Sequence, residues 1–458
     1  MGAPTHFVLV VRAHLPWVPP ADDDDGPDAR ALYDLVTDRL LPLLAILEGL
    51  VDEGVPFKVT LAPSPTLLAL LSDDWARAAI VRRSERMRRL ATLEADRYEG
   101  SVWGPLGEWY EDRLLATNER LSDPAAGDIV ASLGRLAESG CVVLAPPPEP
   151  ANPVHPHGPW RDAQARAAAA DLSTRFGTPA SDSAAAPVSA ALEDLGALGR
   201  DPVYRDPAAD IAWERALPYL RPFVAVGPER TPTGISYRRY EQEHEQASDK
   251  AQPAGGKIWV PDAARVRADE QAFECLASLA DRGPVVAAGF DLSLPGWYEM
   301  PWFLETLMRG LAEGGTAAVA SSVADVERAG LKMPASRPID DPLAAHLSPP
   351  CDWIQRHLAE IRARMEAVVI PAAAGLHARA ARQASREALL AHAGDWPQRM
   401  LQSGRRSEVN GRFADHVRGF LQLADGIATG SVDEPLLDEL ELINPVFPHL
   451  DVASAFTS

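Results

Sequence analysis

Over the first two-thirds of the chain, short apolar runs alternate with longer segments whose apolar positions recur every three to four residues. HFVLVV (6–11), VPFKVTLA (55–62), CVVLAP (141–146), PFVAVG (222–227) and PVVAAGF (284–290) read as strands. AAVASSVADV (317–326) reads as a last strand and turn. Helical periodicity covers 28–53, about 65–122, 162–174 and 188–198, and resumes near Trp302. GTPASDSAAAP (177–187) and EQEHEQASDKAQPAGGK (241–257) read as loops. Such alternation predicts an α/β fold with a parallel sheet and right-handed crossovers. From about residue 350 the pattern is helical only, over 351–369, 372–394, 396–402, 406–429 and 434–442. The proline-bearing stretch SRPIDDPLAAHLSPP divides the chain into 1–335 and a helical domain at 350–458.

Length and charge narrow the function classes. At 458 residues the chain has room for a large core and more than one domain. A net charge of -21 disfavours nucleic acid and anionic membranes as main partners and suits a neutral ligand. Lys58, Lys250, Lys257 and Lys332 are the only lysines among 44 basic residues, a compositional bias that carries no chemistry. Cys141, Cys275 and Cys351 lie far apart, which argues against a disulfide framework or a zinc site. The apolar run at 7–11 is too short for a signal peptide, and nothing approaches the ~20 apolar residues of a membrane span. A cytoplasmic location is expected. His155-Pro156-His157 has no third ligand nearby and reads as loop, as does the acidic run at 22–25.

The stretch GPVVAAGFDLSLPGWYEMPWFLETLM (283–308) is the most informative. An apolar run ends in Asp291, an aromatic loop follows, and an amphipathic helix begins. That order sets an acid at the C-terminal mouth of a buried strand beside rings on which sugars stack. A turn or capping aspartate among packing tryptophans would leave the same trace.

Several stretches together resemble glycoside hydrolase family 57, specifically its 1,4-α-glucan branching enzymes. Ala13-His14-Leu15-Pro16-Trp17-Val18 is similar to the family's first motif, and Gly54 through Leu61 with Ser64-Pro65-Thr66 to its second strand and helix start. Gly140-Cys141-Val142-Val143-Leu144 resembles its Gly-Cys-Val-Glu-Leu strand, and Asp291 onward its Asp-x-Glu-Leu-Phe-Gly-His-Trp-Trp motif. Cys351-Asp352-Trp353-Ile354, Arg386-Glu387-Ala388, Asp395-Trp396-Pro397 and Asn444-Pro445-Val446-Phe447-Pro448 resemble its C-terminal domain. The resemblance implies an incomplete (β/α)7 barrel with a helical insertion, followed by an all-helical domain. It also implies a retaining mechanism without a metal or organic cofactor, in which a Glu is the nucleophile and an Asp the general acid and base. Retention needs the two carboxyl groups about 5–5.5 Å apart.

The chain departs from that pattern at the chemistry. Asp291 stands where the acid is expected, but Ala186 stands about where the nucleophile should be, and alanine forms no glycosyl ester. Arg12 replaces a motif His, Val143 and Ser293 replace motif Glu residues, and the aromatic run shortens to Pro295-Gly296-Trp297. Asp182, Glu193 and Asp194 are the carboxylates from which a relocated nucleophile would have to come. The expectation is a branching-enzyme homologue that has lost glycosyl transfer while keeping an α-glucan groove. Its candidate contacts are His14, Trp17, Trp297, Tyr298, Trp302 and Trp353, with Asp291 the surviving acid. An active enzyme with a displaced nucleophile, and a docking subunit that binds a protein through its helical domain, are the alternatives.

Overall fold

A computed structural model of the chain describes residues 4–18, 26–97, 99–100, 104–146, 159–177, 261–279, 284–292, 300–314, 318–331, 348–369, 375–401 and 405–456. The strand expected at 222–227, the helix at 188–198, Ala186 with its three neighbouring carboxylates, and Ser293, Trp297 and Tyr298 lie outside these residues.

Five strands form one all-parallel sheet: β1 (Thr5–Ala13), β2 (Val59–Pro63), β3 (Val142–Leu144), β4 (Val285–Asp291) and β5 (Ala318–Ser321). β1 is central. β4 pairs with it from His6 to Arg12, while β5 pairs with Thr5–Val8 and β2 with Val10–Ala13. Residues 6–8 and 10–12 thus have β4 as one partner, so β5 and β2 must share the opposite edge of β1. A sheet that splits along one strand in this way curves into part of a barrel. Helices α1 (Pro27–Leu35) to α6 (Ile129–Glu138) fill the connections between β1 and β3, with α4 (Asp74–Arg97) and α5 (Gly104–Ser122) as a long packed pair.

Four segments differ from the pattern-based expectation. The stretch 317–326 is a strand followed by a helix, Val323–Arg328, rather than strand and turn. Ser322 and Asp325 close a reciprocal capping box there, a signal stronger than the weak periodicity. Two helices, Ile129–Glu138 and Pro261–Leu279, arise where no element was read. The strand expected from 55 begins at Val59, because Gly54 at φ +71 ends the preceding helix in a left-handed turn.

Burial separates the two faces of the sheet. Phe7, Leu9, Val11 and Ala13 belong to the large core shared with the helices. Val8 and Val10 belong to a small second cluster with Ala62, Ala145, Val323 and Val326. Side chains alternate along a strand, so the even positions of β1 form the inner face of the curve. Between His6, whose Nδ1 lies 2.9 Å from Ser321 Oγ, and Arg12, the inner face of β1 is apolar.

The C-terminal part is helical: Ile354–Val369, Leu376–Ala391, Trp396–Leu401, Arg406–Thr429, Glu434–Ile443 and Val452–Phe456. It has its own core around Phe413, Phe420 and Trp396. Leu389, Leu390, Val446, Phe447, Leu450 and Ala455 nevertheless join the core of the sheet-bearing part. Packing is therefore continuous across the expected boundary.

Candidate functional site

The C-terminal ends of β1 and β4 meet at the mouth of the sheet. Register makes Arg12 the partner of Asp291 on one side and of Ala62 on the other. Leu292 extends the ladder by donating its N–H to the Arg12 carbonyl at 2.8 Å. Arg12 is buried. The inner-face positions level with it on β2 and β3 are Ala62 and Ala145, both buried and apolar. Val143, where the resemblance expects Glu, also lies on this phase, since its neighbours Val142 and Leu144 join the helix-side core.

A second arginine reaches the same strand end from outside the sheet. Between α1 and α2 (Leu41–Asp52), residues Val36–Leu40 form a single π turn. Arg39 in that turn is buried and donates Nη1 to the Leu292 carbonyl at 3.0 Å. Arg113 of α5 donates Nη2 to the carbonyls of Thr37 at 3.1 Å and Asp38 at 2.8 Å. The widened turn weakens local pairing of those carbonyls, and Arg113 satisfies them from the side. Sequence reasoning missed Arg39, because a buried charge on an otherwise apolar helix reads as exposed surface.

His14 and Trp17 leave the strand end and enter a seam with the helical part. Thr66, held by the Ser64 cap of the next helix, donates to the Leu15 carbonyl at 2.7 Å and fixes this loop. His14 Nε2 lies 3.0 Å from Asp395 Oδ2, and its Nδ1 is buried with no hydrogen-bond partner among the described residues. Trp17 donates Nε1 to Asn444 Oδ1 at 3.0 Å. Asn444 donates Nδ2 to both oxygens of Glu387, at 2.9 and 3.1 Å. Glu387 is fully buried, accepts from Gln383 Nε2 at 2.8 Å, and has His416 Nδ1 at 2.6 Å. A cavity of about 10 Å³, room for roughly one water, lies among Trp17, Asp395, Trp396, Arg399 and His416. The seam is closed.

The sequence-derived contacts therefore divide. His14 and Trp17 come together, but Trp17 is only 4% exposed and faces Asn444 rather than an open groove. Trp353 packs edge-on against Phe413 and His357 in the helical core. Trp302, at the start of the helix Met300–Ala312, lies against the guanidinium of Arg265 on the neighbouring helix. Asp291 ends β4 at the mouth. Asp28 forms a further seam contact that the sequence did not suggest. Arg399, Arg405 and Arg412 of the helical part converge on its carboxylate. Burial alone would raise its pKa, but the three guanidiniums outweigh that and hold it below the usual carboxylate range.

Comparison with known proteins places this architecture. Residues 357–454 match the family model described as "1,4-alpha-glucan branching enzyme, C-terminal". The alpha-amylase AmyC from Thermotoga maritima superposes with a TM-score of 0.71 over 99% of both chains at 20% identity. A GH57-type branching enzyme from Pyrococcus horikoshii gives 0.70 over 99% of this chain and 97% of its own, at 16% identity. A GH57 branching enzyme from Thermococcus kodakaraensis, solved with glucose, gives 0.74 over 99% and 96%, at 19% identity. At such identities the likeness is one of fold: a (β/α)7-type barrel with a helical C-terminal domain.

Proposed function

We propose that this chain, with its family 57 fold and its branching-enzyme C-terminal region, is an α-glucan-binding homologue that has lost glycosyl transfer. The glucan follows from the branching enzymes it resembles. The loss rests on one observation: the acid position Asp291 is the register partner of a buried arginine, Arg12. Arg12 stands in place of a motif His at the end of β1, so the strand end level with the acid position no longer carries the residue the family pattern expects there. The sequence adds Ala186 about where a nucleophile is expected and Val143 on the inner face in place of a Glu. Retaining transfer needs a carboxylate to form a covalent ester, and alanine at that position cannot supply one. Trp297 and Tyr298, which follow Asp291 in the sequence, are the proposed stacking residues.

Amylose incubated with the protein should show no new branches, by iodine staining and by chain-length profile after debranching. Asp291→Asn should behave as wild type. Maltoheptaose should still quench tryptophan fluorescence, and Trp297→Ala should weaken that binding by up to roughly thirtyfold. Branching by the wild type that disappears in Asp291→Asn would restore an active enzyme, with Asp182, Glu193 or Asp194 as the nucleophile to test next. Saturable binding to no glucan at millimolar concentration would leave the docking-subunit reading.

A further inference from the structure

An open cleft of about 480 Å³ lies where the helix Pro159–Phe176 meets the helices Ile354–Val369 and Leu376–Ala391 and the segment 448–453. It shares no residue with the closed cavity at Trp17 or with the strand mouth. Ligand clefts commonly span roughly 300–1,000 Å³ and favour junctions between domains, as here. Its C-terminal wall is tied down at both ends. Buried Arg386 donates Nε to the Phe447 carbonyl at 3.3 Å and Nη2 to the Pro448 carbonyl at 3.4 Å. Arg166 donates Nε and Nη2 to the Ala455 carbonyl at 2.9 and 2.6 Å. A wall fixed in this way leaves a ligand little ordering to offset.

The floor is apolar, and its residues are short. Val368, Ala381 and Leu450 are buried, and Ala378 and Ala453 are half-buried beside them. The rim is polar and carries both signs. Arg379 is paired with Glu434, Asp438 and Glu441. Arg382, three residues on, has no hydrogen bond or ion pair among the described residues, in a chain with 65 acidic residues to 44 basic ones. Asp451 spends Oδ1 on the N–H groups of Ala453 at 3.1 Å and Ser454 at 3.4 Å, while its Oδ2 has no partner there. Arg382 and Asp451 thus line one cleft without pairing with each other. His449 is offset by Asp171, whose ionised form it favours. Thr174 donates its hydroxyl to the Ala170 carbonyl at 2.9 Å and keeps its lone pairs for a further donor. An anion here would meet Asp451, and a cation would meet Arg382. A neutral molecule rich in hydroxyls suits both, with its C–H face on the floor and its hydroxyls on the guanidinium and the carboxylate. The lining holds no Trp, Tyr or Phe, which disfavours a flat aromatic ligand.

We infer that this cleft is a second carbohydrate site, which holds a stretch of neutral α-glucan chain apart from the strand mouth. The ligand class rests on the glucan reading above; the site does not. Calorimetric titration of the full chain with maltoheptaose should give two sites, and the sugar should slow hydrogen exchange at 448–453. Arg382→Ala should abolish that protection and weaken this site at least about tenfold, since it removes hydrogen bonds to a charged group. Ala378→Phe, which fills the cleft without touching a charge, should do the same and serves if the arginine variant is unstable. Trp297→Ala should leave the protection intact. Added salt should change the affinity little, because the ligand is uncharged, and inorganic phosphate should not compete. A single site lost in Trp297→Ala, with 448–453 unprotected, overturns this inference and leaves the glucan reading standing. A single site that protects 448–453 and survives Trp297→Ala upholds the cleft and overturns the mouth. Saturation by no glucan overturns both. Protection that persists in both cleft variants, or displacement of the sugar by phosphate, overturns the inference too.

Discussion

Asn444 joins two parts of the molecule through a single amide. Its oxygen takes the Trp17 N–H, and its nitrogen serves both oxygens of Glu387. Asn444→Ala should therefore leave the Trp17 N–H only its longer contact to the Ile443 carbonyl, and take two hydrogen bonds from the buried Glu387 carboxylate, at once. The expected loss is about 2–4 kcal/mol in urea-induced unfolding, above the ~1 kcal/mol of an ordinary hydrogen bond. Asp28 gives a pH-dependent counterpart. Its folded pKa is depressed, so its contribution is fully present above the unfolded carboxylate pKa of about 4 and is lost as pH falls through the folded value. Asp28→Asn should cost roughly 2 kcal/mol at pH 7, discounted for partial exposure. The wild-type and variant unfolding midpoints should converge only once the pH has fallen below the ordinary carboxylate range. A constant gap down to pH 2 would show that the three arginines do not act through the Asp28 charge. These roles were only half legible. Asn444 and Glu387 stood in recognisable motifs, but a sequence read alone cannot tell that one motif's amide caps the other's carboxylate. Asp28, beside an acidic run, carried no signal of its three partners.

At the scale of elements, the π turn at Val36–Leu40 links a helix to the site. Arg113→Leu removes its two side-on hydrogen bonds while keeping most of the buried stem. Thr37 and Asp38 carbonyls would lose their partner, at an expected cost of about 1–3 kcal/mol. Hydrogen exchange should rise first in residues 36–40 and at Leu292, which Arg39 holds, before it rises in β2. Unchanged exchange at Leu292 would sever the proposed connection between turn and strand end. The elements themselves were mostly readable, because β1, β2, β3 and β4 are apolar runs and the C-terminal helices keep a clean period. The helix Pro261–Leu279 was not read. Its buried alanines, Ala264, Ala268 and Ala272, define a face too small to register as an apolar stripe. The π turn escaped for a different reason. One extra residue in a turn changes the phase without changing the composition.

At the scale of the whole molecule, the question is whether the helical part is a separable module or a wall of the barrel. The composition change near 335–350 suggests a module, and the core around Phe413 and Phe420 supports some independence. The contacts argue for a wall. Leu389, Leu390, Val446, Phe447 and Leu450 are at most 4% exposed and pack into the sheet-bearing core. At about 1.5–3 kcal/mol for each buried side chain, they represent roughly 10 kcal/mol of apolar contact across the seam. That is comparable to the whole stability of a typical domain, about 5–15 kcal/mol. Phe447 adds a sign of constraint: it sits at φ +53, an uncommon backbone for a bulky residue, with its carbonyl accepting from Arg386. A chain ending at residue 347 should therefore fail to fold as a soluble monomer, and should bind a hydrophobic dye if recovered. The full chain should unfold in one calorimetric transition, with the van't Hoff and calorimetric enthalpies equal. Two resolved transitions, or a cooperatively folded fragment 1–347, would mean that the seam is a docking surface. The helical part would then be free to engage another protein. A single transition instead makes Trp17, Asn444 and Glu387 the internal frame on which the mouth at Arg12 and Asp291 is held.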